Sequence, residues 1–164
     1  VRASHQVRLL TSAANDDAAP EAARSLDVNH GVNQGANRTD YRVIYGDTDQ
    51  MGVVYYANYL IYFEVARTTA LAELGHPYWE MEKRGVLIPV LRSHCEYLKP
   101  AKYGDALIIR TVRSRLGHAR IRFEYEVRRE GGDELLTRGF TEHAFMSTDG
   151  KPLRPPTDLA ELFP

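Results

Sequence analysis

One stretch of this chain limits its fold more than any other: residues 58–74, where Leu60, Ile61, Phe63, Val65, Ala66, Ala70, Leu71 and Leu74 follow Asn58 with no break before Gly75-His76-Pro77. Ala57 or Asn58 starts a helix, and the Gly-x-Pro sequence stops it. Sixteen residues make about 24 Å of helix. The apolar positions cover most of its circumference and leave Glu64, Arg67, Thr68 and Glu73 as a polar minority, so the helix is expected to lie buried. Glu64 and Arg67, three residues apart, are expected to pair with each other or to meet a second subunit.

What buries the helix is read from the segments around it. Residues 39–47 alternate Tyr41, Val43 and Tyr45 with Arg42, Ile44 and Gly46, which predicts a strand. A short helix is expected at 78–84. Four strand-like segments follow, at 86–98, 105–115, 119–128 and 134–146, each ended by turn residues. The third is the most regular, with Ala119, Ile121, Phe123, Tyr125 and Val127 alternating with Arg120, Arg122, Glu124, Glu126 and Arg128. A Pro-rich stretch and a short apolar segment close the chain. The sum is α+β: one long buried helix wrapped by an antiparallel sheet of about five strands. One helix cannot cover every face and edge of such a sheet, so pairing with another copy, as a dimer or tetramer, is expected.

With 164 residues and 43% hydrophobic content, the chain has room for one ordinary domain, placed at 39–164. Residues 1–38 contain no Phe, Tyr or Trp, and their four Arg balance four acidic residues. That composition predicts a disordered tail. Because the chain opens on Val, the tail is read as belonging to a processed or trimmed product, with a targeting remnant as one origin. A net charge of −1 gives no global field for nucleic acid. No apolar run is long enough to span a bilayer, so membrane insertion is not expected. The lone Cys95 rules out an intrachain disulfide and fits a reducing compartment. The expected location is the cytoplasm, or an organelle stroma or matrix if the tail is a targeting remnant.

The chemistry concentrates between strand and helix, at residues 45–59, where Asp47, Asp49 and Gly52 precede a helix start. Such a junction can hold a carboxylate beside unpaired backbone N–H groups, a combination suited to activating water and stabilising an oxyanion. Other chemistries fit less well. Met51 and Asn58 occupy positions where a calcium loop needs ligands. His94 and Cys95 are adjacent in a strand and point to opposite faces, so they make no nucleophile pair. The six His show no zinc spacing, and there is neither a Gly-x-Ser-x-Gly elbow nor a phosphate-loop motif. No metal or cofactor is expected.

The run Asp47-Thr48-Asp49-Gln50-Met51-Gly52-Val53-Val54-Tyr55-Tyr56-Ala57-Asn58-Tyr59, followed by Phe63-Glu64-Val65-Ala66-Arg67, closely resembles the hot-dog-fold thioesterases of the 4-hydroxybenzoyl-CoA thioesterase and Tol-Pal-associated acyl-CoA thioesterase group. Cys95 to Ala101, Gly104-Asp105 and Gly150-Lys151-Pro152 extend the resemblance over about residues 39–160. It implies a hydrolase that cleaves acyl-CoA to free acid and CoA at sites on a subunit interface. Asp49 matches the family's catalytic carboxylate, acting as nucleophile or general base. Tyr56 matches the residue whose main-chain N–H polarises the thioester carbonyl, and Gly52 lets the chain turn tightly beneath it. Asp47 is expected to be structural. Many Tol-Pal-associated members carry His where this chain has Tyr56, a departure that weakens inference from their substrates.

The family also tends to bind CoA phosphates with basic residues near the Leu116-Gly117 turn; here that region offers Arg113, Arg115, His118 and Arg120, of which Arg115, His118 and Arg120 are the candidates. A solvated charged face is the competing reading for them. Tyr55, Tyr59 and Phe63 read as core or interface rather than as acyl contacts. Two alternatives stay open for the function. One is a thioesterase acting on an aromatic acyl-CoA, hydroxybenzoyl or dihydroxynaphthoyl, or on an acyl-carrier-protein thioester. The other is a non-catalytic acyl-CoA-binding or scaffolding protein.

Overall fold

The regular alternation of 119–128 forms the middle of the observed sheet. In the computed structural model, which describes residues 36–163, β1 (Asn37–Arg42), β3 (Val90–Tyr97), β4 (Ala106–Arg115), β5 (Arg120–Arg129) and β6 (Glu134–Ala144) make one antiparallel sheet in the order β1-β4-β5-β6-β3. β2 (Val86–Leu87) and β7 (Met146–Ser147) pair separately. The helices are α1 (Asn58–Glu73), α2 (Tyr78–Lys83) and a single turn, α3 (Thr157–Ala160). This is the hot-dog arrangement expected from the sequence, an α+β fold with one long helix on a five-stranded sheet.

The sheet presents Leu107, Ile109, Ile121, Phe123, Tyr125, Val127 and Leu136 to the helix, all buried. α1 answers with Tyr59, Tyr62, Phe63, Ala66, Ala70 and Leu71, spaced three and four apart along one face. The Phe63 ring stacks on Tyr125 with centroids 4.3 Å apart and planes 5° from parallel. That contact needs Gly139 beside it. A Cβ there would overlap the His94 carbonyl and approach the Phe63 ring to 2.8 Å.

The structure departs from the sequence reading in four places. β1 begins at Asn37, two residues inside the expected tail, because Asn37 and Arg38 pair with Thr111 and Arg110 of β4. It ends at Arg42 rather than running to 47: Asp47 accepts the Ile44 N–H at 3.0 Å and bends residues 45–47 into a 3₁₀ turn. The rest of the expected tail lies outside the described residues. The segments 86–98 and 134–146 each divide in two, the first at Ile88-Pro89, where proline cannot donate to a ladder.

The helix is not buried all round. Leu60 and Ile61 are 41% and 55% exposed, while Arg67, expected on the polar face, is only 6% exposed. One sheet has one face to offer, so the outward apolar side chains stay uncovered within a single chain. Among the described residues no carboxylate lies within ion-pair distance of Arg67, and the expected Glu64 pair is not formed. Its guanidinium instead stands by the Tyr78 and Tyr125 hydroxyls, where its charge partly offsets the upward push of burial on both phenols.

Candidate active site

The turn between β1 and α1 is built around Asp47. Its carboxylate accepts the Tyr41 hydroxyl at 3.1 Å and the Ile44 N–H at 3.0 Å, and its carbonyl accepts the Tyr55 N–H and the Asn58 side-chain amide, both at 2.8 Å. Every bond ties the turn together. Asp47 is therefore a structural residue, and Asn58 is recruited from the helix start to hold it.

Asp49 sits in a tighter loop within that frame. Thr48 and Val54 form an isolated bridge, Asp49 N–H donates to Val53 at 3.0 Å, and Gly52 N–H returns to the Asp49 carbonyl at 2.9 Å. Gly52 closes this loop at φ +74°, a conformation that costs glycine little. One Asp49 carboxylate oxygen accepts the Met51 N–H at 2.8 Å. The other has no donor among the described residues, and the side chain is only partly exposed.

Beyond the loop, α1 starts without a side-chain cap at Ala57. Asn58 N–H donates to Tyr55 at 2.9 Å and Tyr59 N–H to Tyr56 at 3.4 Å. The Tyr56 N–H, one residue before the cap position of α1, meets no acceptor among the described residues.

The residues that carry these two groups line one cavity. Asp49, Met51, Val53 and Val54 from the loop, Tyr56 and Tyr59 from the helix start, and residues 97–100 after β3 border an open cleft of about 290 Å³. Its walls are mainly apolar. Tyr59 is both core and wall, buried with its hydroxyl accepting the Ala101 N–H at 3.3 Å, whereas Phe63 is core alone and Tyr55 is exposed. A carboxylate and an open N–H at a helix start, on residues that border one apolar space, are the groups needed to activate a nucleophile at a carbonyl and steady the negative charge that develops on its oxygen.

The basic candidates lie elsewhere. Arg115 and His118 line a separate cavity of about 360 Å³ with Arg154, Pro155, Thr157, Ala160 and Glu161; Arg120 is not in its wall. Strand register gives the separation. Tyr97 pairs with Thr137, Thr137 with Val127 and Val127 with Ile109, six residues before Arg115 on β4. At about 3.3 Å per residue, that is roughly 20 Å along the strands. Arg113 has a different task, donating to the Leu162 carbonyl at 2.6 Å and to Asn37 at 2.9 Å and so strapping the chain's last segment to the sheet.

Two features gave no signal in the sequence. Tyr97 lines the Asp49 cavity and donates its hydroxyl to the Tyr56 carbonyl at 3.1 Å, a contact between residues 41 apart. Beneath α1, His143 is fully buried, with Nδ1 2.8 Å from the Ile88 carbonyl and Nε2 2.9 Å from the Thr141 hydroxyl. Burial pushes its pKa from 6.5 down to about 4, despite the opposing hydrogen bond to Ile88. The ring is neutral, with its proton on Nδ1 because a carbonyl can only accept.

Known proteins similar to this chain point to one family. Residues 43–163 match the model of the Thioesterase-like superfamily. A putative esterase of Aquifex aeolicus is 33% identical over 121 residues, 74% of this chain and 92% of its own length. The putative acyl-CoA thioesterase YneP of Bacillus subtilis is 45% identical over 75 residues, which cover 46% of this chain and about half, 54%, of that relative. The crystal structure of a DHNA-CoA thioesterase from Staphylococcus aureus superimposes with a TM-score of 0.73 at 34% identity, covering 77% of this chain and 87% of that one. Because the match covers well over half of the chain, and the five-stranded antiparallel sheet carries one long helix, the chain belongs to the Thioesterase-like superfamily as a hot-dog-fold member.

Proposed function

We propose that this chain, a thioesterase by family, hydrolyses acyl-CoA to a free acid and CoA, with Asp49 as the catalytic carboxylate and the Tyr56 N–H as the oxyanion donor. The observation that carries the reading is that Asp49, with one carboxylate oxygen without a donor, and Tyr56, whose N–H has no acceptor among the described residues, line the same apolar cavity. The thioester carbonyl oxygen takes the place of the missing acceptor at Tyr56. Asp49 then acts in one of two ways. As nucleophile it adds to the carbonyl carbon, the CoA thiolate leaves, and water cleaves the resulting mixed anhydride. As general base it takes a proton from water, which adds instead. Neither route needs a metal or cofactor.

The acyl group is read as aromatic, since the rings of Tyr56, Tyr59 and Tyr97 wall the cavity. A dihydroxynaphthoyl group, in keeping with the Staphylococcus aureus relative, is one substrate of that class. Among the described residues β3 is an edge strand with no neighbour on its outer side, and it is exposed along most of its length. Antiparallel pairing of β3 with a second copy would continue the sheet and bring that copy's basic turn level with this cavity. On that reading the dimer supplies Arg115, His118 and Arg120 to the CoA phosphates.

The test follows free thiol over a panel of aromatic and straight-chain acyl-CoA substrates, for wild type and Asp49→Asn. Aromatic substrates should turn over fastest and the variant should be inactive; full turnover by the variant would remove Asp49 from the chemistry. Single turnover in ¹⁸O-water separates the routes, because only an anhydride intermediate can leave label in the Asp49 carboxylate.

A further inference from the structure

Tyr97 ends an edge strand, yet its hydroxyl reaches back to the loop that carries the Tyr56 N–H. The two peptide groups that flank the Tyr56 α-carbon are held very differently. On the N-terminal side the Tyr55 carbonyl accepts the Asn58 N–H at 2.9 Å, and one peptide earlier the Tyr55 N–H donates to Asp47 at 2.8 Å. On the C-terminal side, among the described residues, the Tyr56 carbonyl receives a long 3₁₀-type bond, 3.4 Å from the Tyr59 N–H, and the Tyr97 hydroxyl at 3.1 Å. With no side-chain cap at Ala57, the phenol is the nearer of the two donors that fix this peptide.

Tyr97 is itself well held. The Leu98 and Lys99 N–H groups both donate to the Leu136 carbonyl, at 2.9 and 3.0 Å, and anchor the chain just after it. Its ring meets Tyr59 and Tyr56 edge-on, with centroids 5.5 and 6.4 Å away. Burial holds the phenol above its ordinary pKa, so it remains a donor.

We infer that Tyr97 is a positioning residue: by donating to the Tyr56 carbonyl it fixes the backbone angles of Tyr56 and keeps the neighbouring N–H open to the cavity. The inference rests on the reading of Asp49 and Tyr56 given above. A preorganised donor is worth most when it does not have to move as charge develops, and its complete loss typically costs about 10²–10³ in rate. Loosening it should cost a fraction of that, and the loss should fall on kcat, because the charge it meets exists chiefly in the transition state.

The experiment compares Tyr97→Phe, 4-aminophenylalanine at position 97, and Asp49→Asn with wild type, using whichever acyl-CoA is turned over best. Tyr97→Phe keeps the ring packing and removes the donor; kcat should fall about 5- to 20-fold with KM within about twofold. The 4-amino group restores an N–H donor, and kcat should recover to within about threefold of wild type. The positioning role is overturned if Tyr97→Phe keeps wild-type kcat, if its loss appears in KM alone, or if the amine fails to restore the rate, in each case with Asp49→Asn inactive. Should Asp49→Asn turn over normally, the underlying site reading fails instead, whatever Tyr97→Phe does.

Discussion

The two polar clusters on either side of α1 are wired in opposite ways. Beneath the helix, Tyr125, Thr141, His143, Ile88 and Tyr78 form a chain whose donors and acceptors are all determined. The Tyr125 hydroxyl donates to Thr141 at 2.7 Å, Thr141 to His143 Nε2, and His143 Nδ1 to the Ile88 carbonyl, which also accepts Tyr78 at 3.2 Å. At the helix start, an Asp49 oxygen and the Tyr56 N–H have no such partners among the described residues. A buried polar group left unpaired costs about 1–3 kcal/mol, so the first cluster is completed from within the chain. The second can stay open because it borders a cavity that water or substrate can enter. In the first cluster paired groups hold the fold together, and in the second unpaired ones are available for chemistry.

Three perturbations test that contrast, in decreasing order of effect. Asp49→Asn should lower kcat by about 10²–10⁴-fold, the range lost with a catalytic acid or base. Its stability should stay within about 0.5 kcal/mol, because the asparagine Oδ1 still accepts the Met51 N–H. Chemical denaturation beside the thiol assay measures both, and a variant that unfolds readily would place Asp49 with the structural cluster.

Acid should act the other way round. His143 is neutral in the fold, with its pKa near 4, whereas an unfolded chain takes up its proton near 6.5. The unfolded state then binds more protons between those values, so this contribution is complete above about pH 6.5 and is lost as pH falls toward 4. The difference of about 2.5 units corresponds to on the order of 3 kcal/mol. Melting curves from pH 7 to 4 should show the loss, and His143→Gln should flatten it.

The smallest effect is expected from Thr141→Val. It removes the hydroxyl shared by Tyr125 and His143 and should cost about 1–3 kcal/mol of stability. Turnover per folded molecule should be unchanged. A selective loss of kcat would mean that the buried chain is coupled to the cavity.

Much of the fold was legible because two periodicities carry it. The 3.6-residue pattern from Asn58 to Leu74 and the alternation of 119–128 are local properties, and both survive into α1 and β5. The strand breaks at Ile88-Pro89 and the early end of β1 were less so, since Asp47's bond to Ile44 depends on geometry three residues away. The Asp47 to Tyr59 run could be singled out because its groups lie close in sequence. Tyr97 could not, as its partner is 41 residues distant and nothing in Cys95-Glu96-Tyr97 signals a backbone carbonyl. Arg67 misled for a related reason. A charged residue between Ala66 and Thr68 reads as surface, and only the Tyr78 and Tyr125 hydroxyls, from α2 and β5, explain why it is inside.

The way α1 begins has a consequence for anyone who would make this protein more robust. Ala57 has helical angles, φ −69° and ψ −24°, and the Asn58, Tyr59 and Leu60 N–H groups already reach carbonyls three residues back. The usual gain from Ser, Thr, Asp or Asn before a helix, about 1 kcal/mol, needs an extended residue and an N–H still in want of an acceptor, and neither condition holds here. A screen for heat resistance should therefore find little at position 57, and durability has to be sought away from the cavity's rim.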